Sequence, residues 1–122
     1  MEAEDLYRLQ LIEGCEISPD GRYVIYGVRR VDKQSEKKYA NLWVVPSAGG
    51  RAVQFTHGNH VDGSPRWSPD GSRIAFMSNR VDEKEPQIFV IPFDGGEGKQ
   101  LTRMKGDFGS FSWSPDGKRI LC

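Results

Sequence analysis

His57, His60 and Asp62 lie within six residues of one another and carry the side chains best suited to holding a metal ion. Their spacing fits no zinc motif, and no second cluster supplies the remaining ligands a closed tetrahedral site needs. Asp20, Asp70 and Asp116 recur along the chain, as calcium ligands might in successive loops. A calcium loop needs several alternating acidic or carbonyl ligands, and each of these aspartates stands alone. Ser68 and Ser114 are the serines to consider as nucleophiles. The sequence sets no base beside either, and no serine has glycines two positions away on both sides, as a nucleophile elbow requires. No residue is therefore assigned a catalytic, cofactor-binding or metal-ligating role.

The elements that carry these residues explain them better. Ser-Pro-Asp-Gly occurs three times, beginning at Ser18, Ser68 and Ser114, at separations of 50 and 46 residues. Around it the chain repeats itself. Asn41 to Gly50 matches Gln87 to Gly96 position for position, Gln54-Phe55-Thr56 matches Gln100-Leu101-Thr102, and Gly63-Ser64 matches Gly109-Ser110. The four-residue discrepancy falls in one loop, between Asp32 and Asn41 against Asp82 and Gln87. In this alignment His57 and His60 correspond to Arg103 and Gly106, and Asp62 to Phe108, which places the histidines in a variable, solvated loop.

Each unit reads as four short strands. The first ends at an aromatic residue, as in Ser64-Pro65-Arg66-Trp67. Ser-Pro-Asp-Gly then fits a type I turn, with Pro pre-setting φ at the second position. The second strand is Arg73 to Ser78, matched by Arg22 to Gly27, and both runs are apolar enough to be covered on two faces. Gln87 to Ile91 supplies a third strand rich in β-branched and aromatic residues, and Gln100 to Thr102 a short fourth. Trp67 and Trp113 hold the same place in successive repeats, and with Trp43 they are read as packing residues.

Four-stranded units at this period are β-propeller blades. The fold class is therefore all-β, a β-propeller fragment with two four-stranded antiparallel blades and the start of a third. A short helix precedes them: Leu6, Leu9 and Ile12 recur at three-residue spacing over Glu4 to Glu13, and Gly14 stands where a C-cap glycine belongs. The expected divisions are a helix and lead-in over 1–14, blade 1 over 15–62, blade 2 over 63–108 and the opening of blade 3 over 109–122.

Bulk properties exclude several classes of partner. Seventeen basic and 17 acidic residues cancel, without the basic stripe of a nucleic-acid binder. No apolar run approaches the ~20 residues that span a bilayer. The acidic Met1-Glu2-Ala3-Glu4-Asp5 is unlike a signal peptide, so a cytoplasmic location is expected. Cys15 and Cys122 fit no metal-ligand spacing and are expected as free thiols.

Asp5-Leu6-Tyr7-Arg8-Leu9, followed by Ile17-Ser18-Pro19-Asp20-Gly21 and Asn41-Leu42-Trp43-Val44-Val45, resembles the N-terminal start of prolyl-oligopeptidase-family serine peptidases. The acylaminoacyl-peptidase-like and dipeptidyl-peptidase-like members are the ones it resembles. The Ser-Pro-Asp-Gly blades also resemble those of the TolB propeller. The first resemblance implies a propeller seated over an α/β-hydrolase domain that carries the catalytic triad, restricting entry to short peptides. It implies no cofactor, and a fragment that is itself non-catalytic. Some relatives hold a substrate's amino terminus with acidic propeller residues, but no local motif carries that role onto Glu83 or Glu85, which are read as a solvated hairpin loop with Asp82. The TolB resemblance implies a protein–protein interaction module instead. A blade left half-built would expose apolar surface and an unpaired edge, so self-association of the chain is expected. Several copies closing one propeller together is the third possibility.

Overall fold

The computed structural model describes residues 11–32, 34–81, 84, 86–95, 98–101 and 111–121. All regular structure among them is β. The first sheet contains β1 (Leu11–Ile17), β2 (Tyr23–Val31), β3 (Lys38–Pro46) and β4 (Val53–Gln54), in that spatial order and antiparallel throughout. The second repeats it with β5 (Asp62–Trp67), β6 (Arg73–Ser78), β7 (Gln87–Pro92) and β8 (Lys99–Gln100). β9 (Ser112–Trp113) and β10 (Ile120–Leu121) form a two-stranded third sheet.

The three Ser-Pro-Asp-Gly turns are superposable in their bonding. In each, the Gly amide donates to the Ser carbonyl at 2.9 Å and the Ser amide to the carbonyl five residues on at 2.8 Å. The Ser hydroxyl donates to the Asp carboxylate at 2.6–2.7 Å and accepts the amide at the start of the next strand at 3.0 Å. Gly21, Gly71 and Gly117 have φ of 75°, 75° and 73°, values that a β-carbon would strain.

The helix expected over Glu4 to Glu13 is corrected at its end. Residues 4–10 lie outside the described residues, whereas Leu11 to Glu13 belong to β1, paired with Arg29 to Gly27. Gly14 is no C-cap. It sits at a bulge in β1, between Glu13 and Glu16, with φ +62°. Ser64 occupies the same place in β5, in a bulge between Gly63 and Arg66, with φ +51°. The bulge recurs in both four-stranded blades, where one extra residue bends the first strand.

Both faces of blade 2 are covered, as its apolar strands require. Alternate residues point opposite ways: Ile74, Phe76, Phe89 and Ile91 pack with Ile25 and Leu42 of blade 1, while Ala75 and Ile88 pack with Phe111 on the other side. Trp67 joins the first of these cores and Trp113 the second. Trp43 is half-buried, one residue out of phase with Leu42 and Val44, which face blade 2.

Candidate functional site

Two ends of the seam between blades 1 and 2 hold different chemistry. At the Ser-Pro-Asp-Gly end the blades are fastened by a repeated pair of contacts. The Trp67 indole Nε1 donates to the Glu16 carbonyl at 3.1 Å, and the Trp113 indole donates to the Arg66 carbonyl at 2.9 Å. A β-carbon built on Gly71 would stand 3.6 Å from Pro19 Cδ, and one on Gly117 would stand 3.4 Å from Pro69 Cδ. Each turn therefore rests on the proline of the turn before it. A Glu16–Arg66 ion pair at 3.2 Å adds an exposed contact across the same seam.

The opposite end is polar. Asp62, at the start of β5, is fully buried and its Oδ1 receives Arg80 Nη2 at 3.0 Å. Arg80 Nε donates to the Ser78 hydroxyl at 3.0 Å, and the guanidinium lies 5.0 Å from the ring centres of both Phe76 and Phe89. Asn41 Nδ2, from blade 1, donates to Asp62 Oδ2 at 3.3 Å and to the Gly58 carbonyl at 3.1 Å. The buried carboxylate is thus paired and bonded on both oxygens, which is what makes its burial tolerable. Above it opens a cleft of about 370 Å³ lined by Lys37, Lys38, Tyr39, His60, Asn79 and Arg80, among others.

The structure separates the sequence-derived candidates. Asp62 is committed to Arg80 and Asn41; His60 is half-buried at the wall of the cleft; His57 is exposed. The loop carrying them is more firmly tied than a solvated loop: Ala40 N donates to the His60 carbonyl at 2.9 Å, and Val61 N donates to Asn79 Oδ1 at 2.7 Å. Ser68 is fully buried and Ser114 nearly so, and each hydroxyl gives its proton to the aspartate of its own turn. These bonds hold the turn carboxylates below the usual range. For Asp20 and Asp116 the neighbouring serine hydroxyl is the main cause; for Asp70 the Ser72 amide leads and the value falls to about 2. Cys15 is exposed in β1; Cys122, Asp82, Glu83 and Glu85 lie outside the described residues. Among the described residues there is no set of three His, Cys, Asp or Glu placed to hold a metal.

Sequence reasoning missed the Asp62–Arg80–Asn41 network. A signal was present, because the repeat sets apolar Phe108 against Asp62.

The sequence profile of the TolB beta propeller domain matches residues 11–122. The chain belongs to that family. Among curated proteins, the blades are 32% identical over 78 residues to YuxL of Bacillus subtilis strain 168, described as an uncharacterized peptidase. They are 36% identical over 78 residues to dipeptidyl-peptidase 5 of Porphyromonas endodontalis. Each alignment covers 64% of this chain but only 12% and 11% of those proteins, so the TolB-type blades span a small part of the relatives' length. In three dimensions the chain resembles acylaminoacyl peptidase of Pyrococcus horikoshii, with a TM-score of 0.76 at 22% identity, over 94% of this chain and 17% of that one. At this identity the likeness establishes the β-propeller fold. No helix among the described residues is long and apolar enough to cross a membrane.

Proposed function

We propose that this chain is the propeller portion of a serine peptidase that hydrolyses short peptides, and that it governs access to an α/β-hydrolase domain without taking part in bond breaking. The observation that carries the reading is the similarity of its blades to two peptidases, at 32% and 36% identity. The geometry agrees with it. The turn serines spend their hydroxyls on structure, and the polar cleft at the blade seam sets His60 among cationic and amide groups, with no serine or cysteine in its lining among the described residues. In this reading the parent peptidase acts in the cytoplasm, and the chain alone self-associates through its incompletely covered third blade.

Activity measurements on two proteins test the proposal. The 122-residue chain should leave dipeptidyl and N-acyl-aminoacyl chromogenic substrates intact. The full-length product containing it should cleave them and be labelled by a serine-directed fluorophosphonate. Absence of labelling and of turnover in the full-length product would favour the TolB-type interaction module, whose readout is capture of a protein partner.

A further inference from the structure

The polar cleft above Asp62 holds more hydrogen-bond donors and positive charge than its own walls consume. Asn59 and Asn79 each spend the carboxamide oxygen on a group that can only donate. Asn59 Oδ1 accepts Arg30 Nη2 at 3.0 Å, and Asn79 Oδ1 accepts the Val61 amide at 2.7 Å. Both carboxamides are thereby oriented, and each amino group is left without a partner among the described residues. Lys37 and Lys38 add two exposed ammonium groups, neither of them in an ion pair among the described residues.

Arg80 is compensated by Asp62, so the two lysines leave the lining with a surplus of positive charge. No carboxylate belongs to that lining among the described residues. Asp32, in the loop that leads to Lys37, turns its carboxylate onto the Gln34 amide at 3.2 Å and the Ser35 hydroxyl at 2.8 Å. The repeat does not dictate this set of side chains. Asn79 corresponds to Arg29, Asn59 to Lys105 and His60 to Gly106, so packing one blade on the next does not call for them.

We propose that the cleft binds the C-terminal carboxylate of a short peptide. The lysine ammonium groups and the two free amino groups are donors suited to a carboxylate's lone pairs, and a bond from a charged donor to a carboxylate is among the stronger ones. Tyr39, with the Arg30 guanidinium 5.0 Å from its ring centre, and the exposed Val81 offer walls for the last side chain. A volume of about 370 Å³ suits a small ligand rather than a folded domain. Such binding requires nothing of a hydrolase domain, so it holds or fails independently of the peptidase reading.

The probe is N-acetyl-Ala-Ala-Leu, as the free acid and as the C-terminal amide, titrated into the nitrogen-15-labelled 122-residue chain. Proton–nitrogen correlation spectra report the fold and the side-chain amides together. The free acid should shift the Asn59 and Asn79 side-chain signals saturably, and the amide should bind more weakly by roughly tenfold or more. The double variant Lys37→Gln, Lys38→Gln, altered only at exposed positions, should lose affinity for the acid while its backbone spectrum stays dispersed. Added salt should weaken binding in the same way. Equal affinity for acid and amide, or no saturable shift with the acid, would overturn the proposal. So would N-acetyl-Ala-Ala-Glu diamide-capped only at its C-terminus binding as tightly as the free acid, since an acidic side chain would then be the ligand.

Discussion

The Trp67 indole nitrogen and the Glu16 carbonyl oxygen meet at 3.1 Å across a separation of 51 residues, joining the first strands of two blades. Trp113 and Arg66 repeat the bond at 2.9 Å. Trp67→Phe keeps an aromatic ring in the core but removes the donor and strands a carbonyl at the seam. The expected cost is about 1–2 kcal/mol, read as a lowered urea midpoint with an unchanged slope.

At the other end of the seam Asp62, bonded from blade 1 by Asn41, is paired with Arg80 of its own blade. Asp62→Ala leaves the guanidinium with Ser78 and two aromatic faces but no counter-charge among the described residues. Breaking an enclosed pair costs about 3–5 kcal/mol. Arg80 keeps 22% of its side chain in contact with solvent, which brings the expected loss to about 2–3 kcal/mol. Urea denaturation of the two proteins measures it. A loss under half a kcal/mol would show that the network contributes little.

Acid should probe the turns. Asp70 is held at about 2 by the Ser72 amide and by the Ser68 and Ser72 hydroxyls. A depressed native carboxylate contributes stability above its unfolded pKa of about 3.9, and the contribution drains away as pH falls toward 2. The stability gap between the natural chain and Asp70→Asn should therefore be constant above pH 5 and close progressively below pH 4. A gap that widened on acidification would contradict the assignment.

Ser64 holds φ +51° in a bulge whose blade 1 counterpart is Gly14 at +62°. An L-residue in this region is strained by roughly 1–2 kcal/mol, while glycine loses about 0.5–1 kcal/mol of chain entropy on folding. Ser64→Gly should thus stabilise by about 0.5 kcal/mol. Gly14→Ala should destabilise, since its β-carbon would also stand 3.2 Å from Pro65 Cδ. Thermal melts of both variants report the two opposite signs.

What could be read from the sequence was what is local. Ser-Pro-Asp-Gly encodes its own turn through contacts no more than five residues apart, and the two-faced strands follow from apolar runs of the right length. Gly14 was misread because Leu6, Leu9 and Ile12 continue a three-residue spacing into β1, where pairing with β2 decides the backbone. A strand with a bulge loses its period of two, and with it the signal. The Asp62–Arg80 pair joins residues 18 apart through the pairing of β5 with β6, while the Asn41 and indole bonds join residues 21 to 51 apart, a relation that only the docking of one blade on the next creates. His60 looked solvated for the same reason: its tether to Ala40 belongs to the seam.

The fastening at the Ser-Pro-Asp-Gly end is directional. Blade 2 offers a carbonyl and a proline to the third sheet and applies an indole and a glycine to blade 1, whose own strand carries Ile17 in the indole's place. A unit that carries both halves of its own coupling can be copied whole and inserted next to itself, and the new joints are the old ones. Duplication in steps of one blade preserves every such contact, whereas a gain or loss of part of a blade breaks two couplings at once. The architecture therefore grows like a chain of identical links, and blade number is the variable it leaves open to change.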